Sequence, residues 1–425
     1  MERKRYDSFE KYYEEVAERF VEECTCCGEC VRACPILSAT SIAGKGPEEI
    51  ITAVLDFLKE GRFSGEAYTK AFACASCATC SSSCPQGLDV MEVFGSVRME
   101  LVNKGMMPEA VGSVEAIPTL WRTVSFLLVK PSERRWLIDP GVGPKEVENV
   151  VFLGCTTPAL PQIVNALIDV FQHMGLNFVA LAGGRLCCGF PFFSAGKMEA
   201  LTEKARELIS ALHSFHPLRV ILPCAGCYRQ FTKLYPLVED LHFEVKYYAD
   251  FLMENLDRLE FAQPLEKTVY YHASCMSRST TCSDSVRRLL GGIPGLKVAE
   301  AERICCGGTP KLAFFEIPMR LAPLFRERLA KAAVAHKADY LVNVCQLCEL
   351  TFSAYAHLYP FELRDVAGVV NEAIGGKQYE SGWAEFWSCS AEEEIIEKAK
   401  DTFEANGLTE DDVRQALPLL LSWRM

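Results

Sequence analysis

Two closely spaced sets of cysteines near the beginning of the chain have the spacing of metal ligands. Each set follows the pattern C-x2-C-x2-C-x3-C-P, first at residues 24–35 and again at 74–85. This pattern is typical of chains that bind two [4Fe–4S] cubane clusters, in which the fourth cysteine of each run reaches across to the other cluster. Structural zinc fits less well, because it prefers two separated pairs of ligands. The spacing predicts two crossed ligand sets: Cys24, Cys27, Cys30 and Cys84 in one, and Cys74, Cys77, Cys80 and Cys34 in the other.

Cys26 lies inside the first run and leaves a second ligand register open, shifted by one residue. The prolines that follow the fourth cysteine of each run, Pro35 and Pro85, favour the stated register. Cys282 and Cys389 belong to no pattern. For all three of these cysteines, a small buried apolar side chain or an inert thiol is the favoured interpretation.

A different cysteine pattern follows and is written twice. Each copy has one cysteine, an adjacent pair followed by glycine, and a C-x2-C motif, and the landmarks recur after about 120 residues. An adjacent pair can serve one site only if the chain turns sharply, which the following glycine permits. Five thiols exceed the needs of a single cubane cluster, so the pattern indicates thiolate-rich metal coordination of a more open kind. The two sets are Cys155, Cys187, Cys188, Cys224 and Cys227 in the first repeat, and Cys275, Cys305, Cys306, Cys345 and Cys348 in the second repeat.

Composition restricts the class of protein. The chain has 425 residues, 49% of them hydrophobic, which suffices for two to four domains. The net charge of −12 argues against nucleic acid as a partner. The amino terminus lacks the apolar core of a secretory signal, and no apolar run approaches the roughly 20 residues that cross a bilayer. We therefore expect a cytoplasmic protein whose clustered cysteines bind metal, with any attachment to the inner face of the membrane supplied by a partner subunit.

Helical patterns surround the first two cysteine runs. Apolar spacing predicts a helix over 8–23, proline followed by two glutamates begins another over 47–60, and a third extends from about 89 to 104. The proline-rich stretch 105–148 is interpreted as a connector. This part of the chain is therefore expected to be helical.

From residue 147 the sequence pattern predicts strands that alternate with helices. Strands are predicted at 147–155, 176–181 and 218–224 in the first repeat, and at 267–275, 296–302 and 338–345 in the second. Helices are predicted at 161–174, 196–214 and near 315–335. This order indicates parallel α/β layers with cysteines at the ends of strands.

The remaining tail contains no cluster motif. Ser390 with Glu393 forms a predicted capping box, and Thr409 leads an acidic first turn. The aromatic residues Trp383, Phe386 and Trp387 either cover the α/β domains or form a docking surface, and the cover is favoured.

The combined motif order resembles the iron–sulfur oxidoreductases with paired cysteine-rich CCG domains, and most of all the D subunit of heterodisulfide reductase. The resemblance covers roughly residues 15–360. It implies two cubane [4Fe–4S] clusters in an all-helical ferredoxin part and one noncubane [4Fe–4S] cluster on each repeat. In that family a substrate disulfide lies between the two noncubane clusters. The sequence His272-Ala-Ser-Cys275 departs from the His-Asp-Pro-Cys of many relatives, which affects any role assigned to this loop.

The resemblance implies a multidomain α + α/β fold with an all-helical two-cluster domain, two duplicated CCG domains and a helical C-terminal tail. The predicted domains are 1–110 (α-helical ferredoxin-type), 111–146 (connector), 147–262 (first CCG domain), 263–365 (second CCG domain) and 366–425 (helical extension).

Candidate residues for the chemistry follow from these motifs. The predicted reactive set comprises cluster cysteines and one histidine: Cys188, Cys227, Cys306, Cys348 and His272. His272 is a candidate proton donor to a leaving thiolate, although a histidine satisfied by a neighbouring carbonyl is the simpler interpretation. Arg185, Arg303 and Arg229 stand next to ligands and are interpreted as counter-charges to a cluster, or as contacts to an anionic substrate.

Three functions remain open. The first is a subunit that reduces a small or protein disulfide, or oxidises thiols, at the two noncubane clusters. The second is an electron-transfer subunit that links a flavoprotein or a bifurcating flavin subunit to a membrane cytochrome b or quinone pool. The third treats the repeats as structural zinc modules, which the neighbouring cubane motifs disfavour. Complete cysteine sets in both repeats favour the first function.

Overall fold

Helices build the amino-terminal part of the chain. The computed structural model describes residues 4–183, 186–278, 280–300, 306 and 317–421. The first helices are α1 (Phe9–Glu23), α2 (Glu29–Arg32), α3 (Pro47–Glu60), α4 (Gly65–Phe72), α5 (Thr79–Ser82) and α6 (Val90–Asn103). No strand occurs in the described residues up to 104, as the sequence predicted.

The predicted helix boundaries are confirmed by the capping groups. Ser8 caps α1 by accepting a hydrogen bond from the Lys11 backbone N–H. Pro47 occupies the first turn of α3, where its missing N–H costs nothing. Gly61 ends the same helix with a φ of +70°, a conformation that favours glycine.

The helix pair α1 and α6 is packed closely and is fixed onto the first repeat. A Cβ on Gly95 would lie 2.7 Å from the Tyr13 ring, so only glycine allows this approach. The backbone N–H of Phe9 donates to Thr202 Oγ1 at 3.0 Å, and that of Tyr6 to the Leu237 carbonyl at 2.8 Å. The amino-terminal part is therefore anchored on the α/β part.

The connector contains a helix that the sequence interpretation missed. α7 (Ile117–Phe126) buries Trp121, and a 3-10 turn over Glu109–Ala116 precedes it. Pro118 stands in the first turn of α7, where proline is tolerated, so its presence did not exclude a helix.

Two four-stranded sheets with the same strand order carry the cysteine repeats. All their strands are parallel, and their orders are β2-β1-β3-β4 and β6-β5-β7-β8. The strands are β1 (Asn149–Gly154), β2 (Phe178–Ala182), β3 (Arg219–Leu222), β4 (Glu244–Tyr247), β5 (Thr268–Tyr271), β6 (Lys297–Glu300), β7 (Tyr340–Asn343) and β8 (Glu362–Asp365). The predicted parallel α/β layers are confirmed, whereas the edge strands β4 and β8 were not predicted.

Helices cover both faces of each sheet. Those up to the end of the second sheet are α8 (Pro161–His173), α9 (Phe190–Ala195), α10 (Met198–His213), α11 (Ala225–Arg229), α12 (Tyr248–Glu254), α13 (Cys275–Arg278), α14 (Cys282–Gly291), α15 (Ile317–Ala335), α16 (Gln346–Ser353) and α17 (Val366–Ala373). Alternation along β1 shows the layering: Val150 and Phe152 face the core shared with α1 and α6, while Val151 and Leu153 face α8.

The two repeats pack against each other with approximate two-fold symmetry. α8 of the first repeat contacts α17 of the second, and α14 of the second contacts α12 of the first. α17 follows β8 as α12 follows β4, so the two helices occupy corresponding places in the two repeats. The shared core means that neither repeat is an isolated module.

The C-terminal extension forms α18 (Trp383–Trp387), α19 (Glu392–Ala405) and α20 (Glu410–Leu421). Trp383 is fully buried and donates from Nε1 to the Ala159 carbonyl at 2.7 Å, which confirms that the tail covers the α/β part. The predicted capping box of Ser390 with Glu393 is wrong in its acid. The Ser390 backbone N–H donates to Glu394 instead. The cap at Thr409 is confirmed by its reciprocal hydrogen bonds with Asp412.

Candidate metal centres

The two amino-terminal cysteine loops have the same backbone conformation. Cys26 and Ser76 occupy equivalent positions with φ of 53° and 52°, and each is followed by a second left-handed residue, Gly28 or Ala78. The N–H of Cys26 points at Cys24 Sγ at 3.5 Å, as that of Ser76 does at Cys74 Sγ at 3.4 Å. Because serine stands where Cys26 stands in the other loop, the geometry does not require a thiol at this position.

Four predicted ligands of one cluster line a single small cavity, of about 300 Å³. Its walls include Phe20 and Ile51, and its cysteines are Cys24, Cys27, Cys30 and Cys84. Burial raises the pKa of Cys30 to about 12; the Lys70 charge lowers it, and the thiolates of Cys24, Cys84 and Cys27 raise it. The fourth cysteine of the second run therefore lies beside the first three of the first run. This set is called the first cubane site.

The complementary set surrounds Cys80 and is called the second cubane site. Burial raises the pKa of Cys80 well above its usual range, and the thiolates of Cys74, Cys77 and Cys34 add to the increase while Lys70 opposes it. Lys70 Nζ donates to Cys34 Sγ at 3.2 Å. Burial disfavours the Cys34 thiolate, but the ammonium outweighs it and lowers the pKa of that thiol.

Cysteines of the first repeat converge at the ends of β1 and β3. Cys155 follows β1, Cys224 follows β3, and strand order reverses between these two neighbours, which is where parallel sheets place their sites. Cys187 Sγ lies 3.9 Å from Cys155 Sγ. Hydrogen bonds from Cys187 and Cys227 lower the pKa of Cys188 to about 6, and a hydrogen bond from Cys227 lowers that of Cys224 to about 7. All five thiols are thus connected.

Glycines shape this site. Gly189 has a φ of +76° and begins α9 directly after the adjacent pair, which is the sharp turn that the pattern predicted. Gly154, with a φ of +70°, brings the backbone so close that a Cβ would lie 3.1 Å from Cys227 Sγ. The turn allows both thiols of the pair to serve one site.

The second repeat brings a histidine to its thiols. Cys306 Sγ and Cys348 Sγ are 3.1 Å apart, and these atoms and a ring nitrogen of His272 all lie within 4.8 Å of one another. The hydrogen bond to Cys306 and that to Cys345 raise the pKa of Cys348 well above its usual range. The Cys345 backbone N–H donates to Asn343 Oδ1 at 3.2 Å. His272 is fully buried, and the corresponding position of the first repeat carries Phe152.

Cys275 takes a different position from the other thiols of the second repeat. It begins α13, is buried, and packs in the core between the repeats, against which Cys77 of the second cubane site also lies. Cys306 and Cys348 belong to a separate apolar cluster with α15. Cys305, Arg185 and Arg303 lie outside the described residues.

Arg229 is paired with an acid of the amino-terminal helices. Its guanidinium is fully buried, forms an ion pair with Glu92 of α6, and lies 4.9 Å from the centre of the Phe193 ring. Tyr13 donates to the same carboxylate at 2.6 Å. Arg229 therefore connects the amino-terminal helices to the first repeat.

A cavity of about 1700 Å³, including its open mouth, lies between α8, the second repeat and the tail, and no cysteine is among the described residues that line it. Two buried acids line it. Burial raises the pKa of Glu349 to about 7, and burial followed by the Glu349 charge raises that of Asp365 to about 8. Asn343 Nδ2 donates to Glu349 Oε2 at 2.6 Å, which connects this acid to the residues around Cys345.

Sequence reasoning missed Lys70 and this acid pair. Lys70 lies between Ala67 and Ala71 on an otherwise apolar face of α4. Glu349, one acid of the pair, directly follows Cys348. A charge at a core position is the signal that could have identified them.

The donor sets fit iron–sulfur clusters. No disulfide joins the cysteines in the described part of the chain, and their thiols converge in groups rather than in pairs. Soft thiolate ligands in groups of four or more are what such clusters require. Among the described residues, no helix combines the length and apolarity of a membrane span.

Comparison with known proteins agrees with this geometry. The 4Fe-4S dicluster domain family matches residues 10–88, and the cysteine-rich CCG domain family matches residues 149–232 and 269–353. The chain is 28% identical to the D subunit of dihydromethanophenazine:CoB–CoM heterodisulfide reductase from Methanosarcina mazei, over 84% of this chain and 94% of the relative.

Two further relatives carry different names. The B subunit of fumarate reductase (CoM/CoB) from Methanothermobacter marburgensis is 26% identical over 77% of this chain and 66% of the relative. The C subunit of anaerobic glycerol-3-phosphate dehydrogenase from Escherichia coli is 27% identical over 51% and 58%. The chain therefore belongs to the iron–sulfur oxidoreductases that join a dicluster domain to paired CCG domains, and it is homologous to the D subunit of heterodisulfide reductase.

Proposed function

We propose that the chain is the iron–sulfur subunit in which a disulfide is reduced, or thiols are oxidised, between the two repeats. In the reductive direction two electrons and two protons are consumed, the S–S bond breaks, and two thiols are released. The substrate class is a small asymmetric disulfide, as the name of the Methanosarcina mazei relative implies for that protein. The observation that carries the proposal is that both repeats keep their complete cysteine pattern.

The ligand roles are proposed as follows. The first and second cubane sites would each hold a [4Fe–4S] cubane cluster, and the five cysteines of each repeat would hold a noncubane [4Fe–4S] cluster. When bound, such clusters supply one-electron transfer and iron with affinity for sulfur. The cluster cysteines assigned next to the substrate are Cys188, Cys227, Cys306 and Cys348.

The chain's own residues would supply the proton and the dry environment. His272, fully buried and beside Cys306 and Cys348, is positioned to give a proton from a ring nitrogen to a leaving thiolate. In the first repeat the corresponding Phe152 cannot do so. We therefore assign protonation by the protein to the sulfur released at the second repeat.

A second candidate function is electron transfer alone, between a flavoprotein or bifurcating flavin subunit and a membrane cytochrome b or quinone pool. One observation favours it: no cysteine is among the described residues that line the cavity around Glu349 and Asp365. The relatives are named as subunits, so in either case we propose work within a larger redox complex at the cytoplasmic face of a membrane.

Metal analysis tests the cluster assignment. Protein purified without oxygen should be brown and contain about 16 irons per chain, from four clusters of four irons. Zinc in place of iron at the cubane sites would contradict it.

A spectroscopic test separates the two functions. Oxidation in the presence of a thiol substrate should produce a new paramagnetic signal, and Cys345→Ser should alter that signal. Cys389→Ser, outside both repeats, is the matched control and should leave it unchanged. A spectrum independent of the thiol would support electron transfer alone.

A further inference from the structure

The two cubane sites differ at one corresponding position. Lys70 stands four residues before Cys74 of the second cubane site, and Phe20 stands four residues before Cys24 of the first. The loops that follow share their left-handed residues, so the two positions are structurally equivalent as well. One site therefore has a cation where the other has a phenyl ring.

The Lys70 ammonium is buried and directed at the second cubane site. The residue is 4% exposed, its Nζ lies 3.2 Å from Cys34 Sγ, and it lies 4.5 Å from the centre of the Phe94 ring. Within the described chain, no carboxylate lies within ion-pairing distance of it. A buried lysine is rare unless its charge is compensated, and here the sulfur ligands are the available compensation.

Phe20 gives the first cubane site an apolar wall. It is 1% exposed and lines the same cavity as Cys24 and Cys27. It brings neither charge nor hydrogen bond to the sulfurs. The two sites are therefore matched in fold and in ligands but not in local charge.

We propose that Lys70 raises the reduction potential of the cluster at the second cubane site above that of the cluster at the first. Reduction adds one negative charge to a cluster, and a nearby buried cation stabilises the reduced form because little water screens the attraction. Net charge and hydrogen bonds to the sulfurs are known determinants of such potentials. The inference rests on the proposed ligand sets. Lys70 would act through the ligand sulfurs and determine which of the two clusters is reduced first.

This difference orders the electrons within the chain. With one electron available from dithionite, the cluster at the second cubane site is reduced and the other stays oxidised. Cys77 of the second cubane site also packs against the core that contains Cys275 of the second repeat. Electrons are thus held next to the place where the proposed reaction consumes them.

The test is a dithionite titration of the purified protein followed by electron paramagnetic resonance. In Lys70→Met, one cubane signal should shift to lower potential, with at least about a tenfold change in its reduced-to-oxidised ratio at fixed potential, or about 59 mV. The other cubane signal should shift less, because Lys70 Nζ contacts Cys34 Sγ and only its charge, without a hydrogen bond, acts on Cys30 of the first cubane site. Lys70→Arg, which keeps the charge, should stay close to the unmodified protein.

Further variants make the result decisive. Lys45→Met removes an exposed lysine of the same domain, paired with Glu49, and should move neither signal. Lys70→Gln keeps a donor without charge and serves if the Met variant does not fold. Unchanged potentials in a neutral Lys70 variant with full iron content would overturn the inference and leave the ligand assignment intact. Missing iron in the unmodified protein would instead contradict the proposed function.

Discussion

At the scale of single residues, backbone conformation distinguishes Cys26 from the predicted ligands beside it. Cys26 adopts the left-handed conformation that Ser76 adopts in the other loop, and both precede a predicted ligand. The backbone N–H of each points to the first cysteine of its run. A serine at position 26 therefore preserves every feature that the second loop shows.

We predict that Cys26→Ser keeps the full iron content, whereas Cys27→Ser loses about four irons, the content of one cubane cluster. Iron and protein assays on anaerobically purified variants measure this. Equal loss in the two variants would show that the ligand register is shifted by one residue.

A buried acid makes stability depend on pH. Burial and the Glu349 charge raise the pKa of Asp365 to about 8, whereas in the unfolded chain an aspartate ionises near about 4. Between these values the folded state holds the proton and the unfolded state releases it, so stability falls as pH rises, by up to about 1.4 kcal/mol per pH unit. Asp365→Asn keeps a side-chain oxygen that can accept the Ala367 N–H and so cap α17. The stability of this variant should depend less on pH.

Urea unfolding at pH 5, 6, 7 and 8 measures this difference. The free energy of unfolding of Asp365→Asn minus that of the unmodified protein should increase from pH 5 to pH 8. The exposed Asp401→Asn is the control and should parallel the unmodified protein. Parallel curves for Asp365→Asn as well would show that this carboxyl is ionised in the folded protein.

The thiols could be predicted from the sequence because their spacing carries the chemistry, whereas their neighbours could not. Lys70 lies on an otherwise apolar face of α4, but the sulfurs that it meets depend on how α4 packs against α6. Arg229 beside a ligand was interpreted as a counter-charge, and its actual partner, Glu92, is distant in sequence. Such pairings depend on tertiary contacts that one sequence does not contain.

At the scale of elements, six of the eight strands were predictable, whereas β4 and β8 were not. The central strand β1 is buried throughout and is apolar after its first residue, Asn149, which is typical of a parallel sheet covered on both sides. The edge strands β4 and β8 have mixed, partly exposed sequences, Glu-Val-Lys-Tyr and Glu-Leu-Arg-Asp, without a clear period. Edge position alone is not the reason, because the edge strands β2 and β6 were predicted; the mixed composition of β4 and β8 removes the signal on which the prediction depends.

Helix packing decides the effect of glycine substitutions. Replacing glycine by alanine within a helix ordinarily stabilises it by up to about 1 kcal/mol. At Gly95 of α6 the added methyl group would meet the Tyr13 ring, which its hydrogen bond to Glu92 holds in place. We predict that Gly95→Ala destabilises the protein by about 1–3 kcal/mol, as overpacking does.

Gly368 of α17 provides the matched control, since a Cβ there would meet no atom within 4 Å. Gly368→Ala should be neutral or stabilising in the same urea unfolding experiment. A stabilising Gly95→Ala would show that α1 and α6 can move apart at no cost.

At the scale of the whole molecule, a buried ion pair joins the amino-terminal helices to the first repeat. Glu92 and Arg229 are both almost fully removed from water. Removing one charge of such a pair leaves the other uncompensated, which costs about 3–5 kcal/mol. We predict a loss of this size for Glu92→Gln in urea unfolding.

The exposed pair of Glu410 with Arg414 is the comparison. Glu410→Gln should change stability by less than about 1 kcal/mol, because water screens surface pairs. A Glu92→Gln protein as stable as the unmodified one would mean that the two parts are not held together by this contact.

The anchoring of α1 on the first repeat has a consequence for kinetics. The backbone hydrogen bonds of Tyr6 and Phe9, together with Arg229, fix the separation between the amino-terminal cysteine loops and the repeats. Separate carriers must first meet by diffusion, and their rate falls on dilution. Here one folded chain fixes the distance. Neither dilution nor a more viscous solvent should therefore slow the proposed electron transfer from the cubane sites to the repeats.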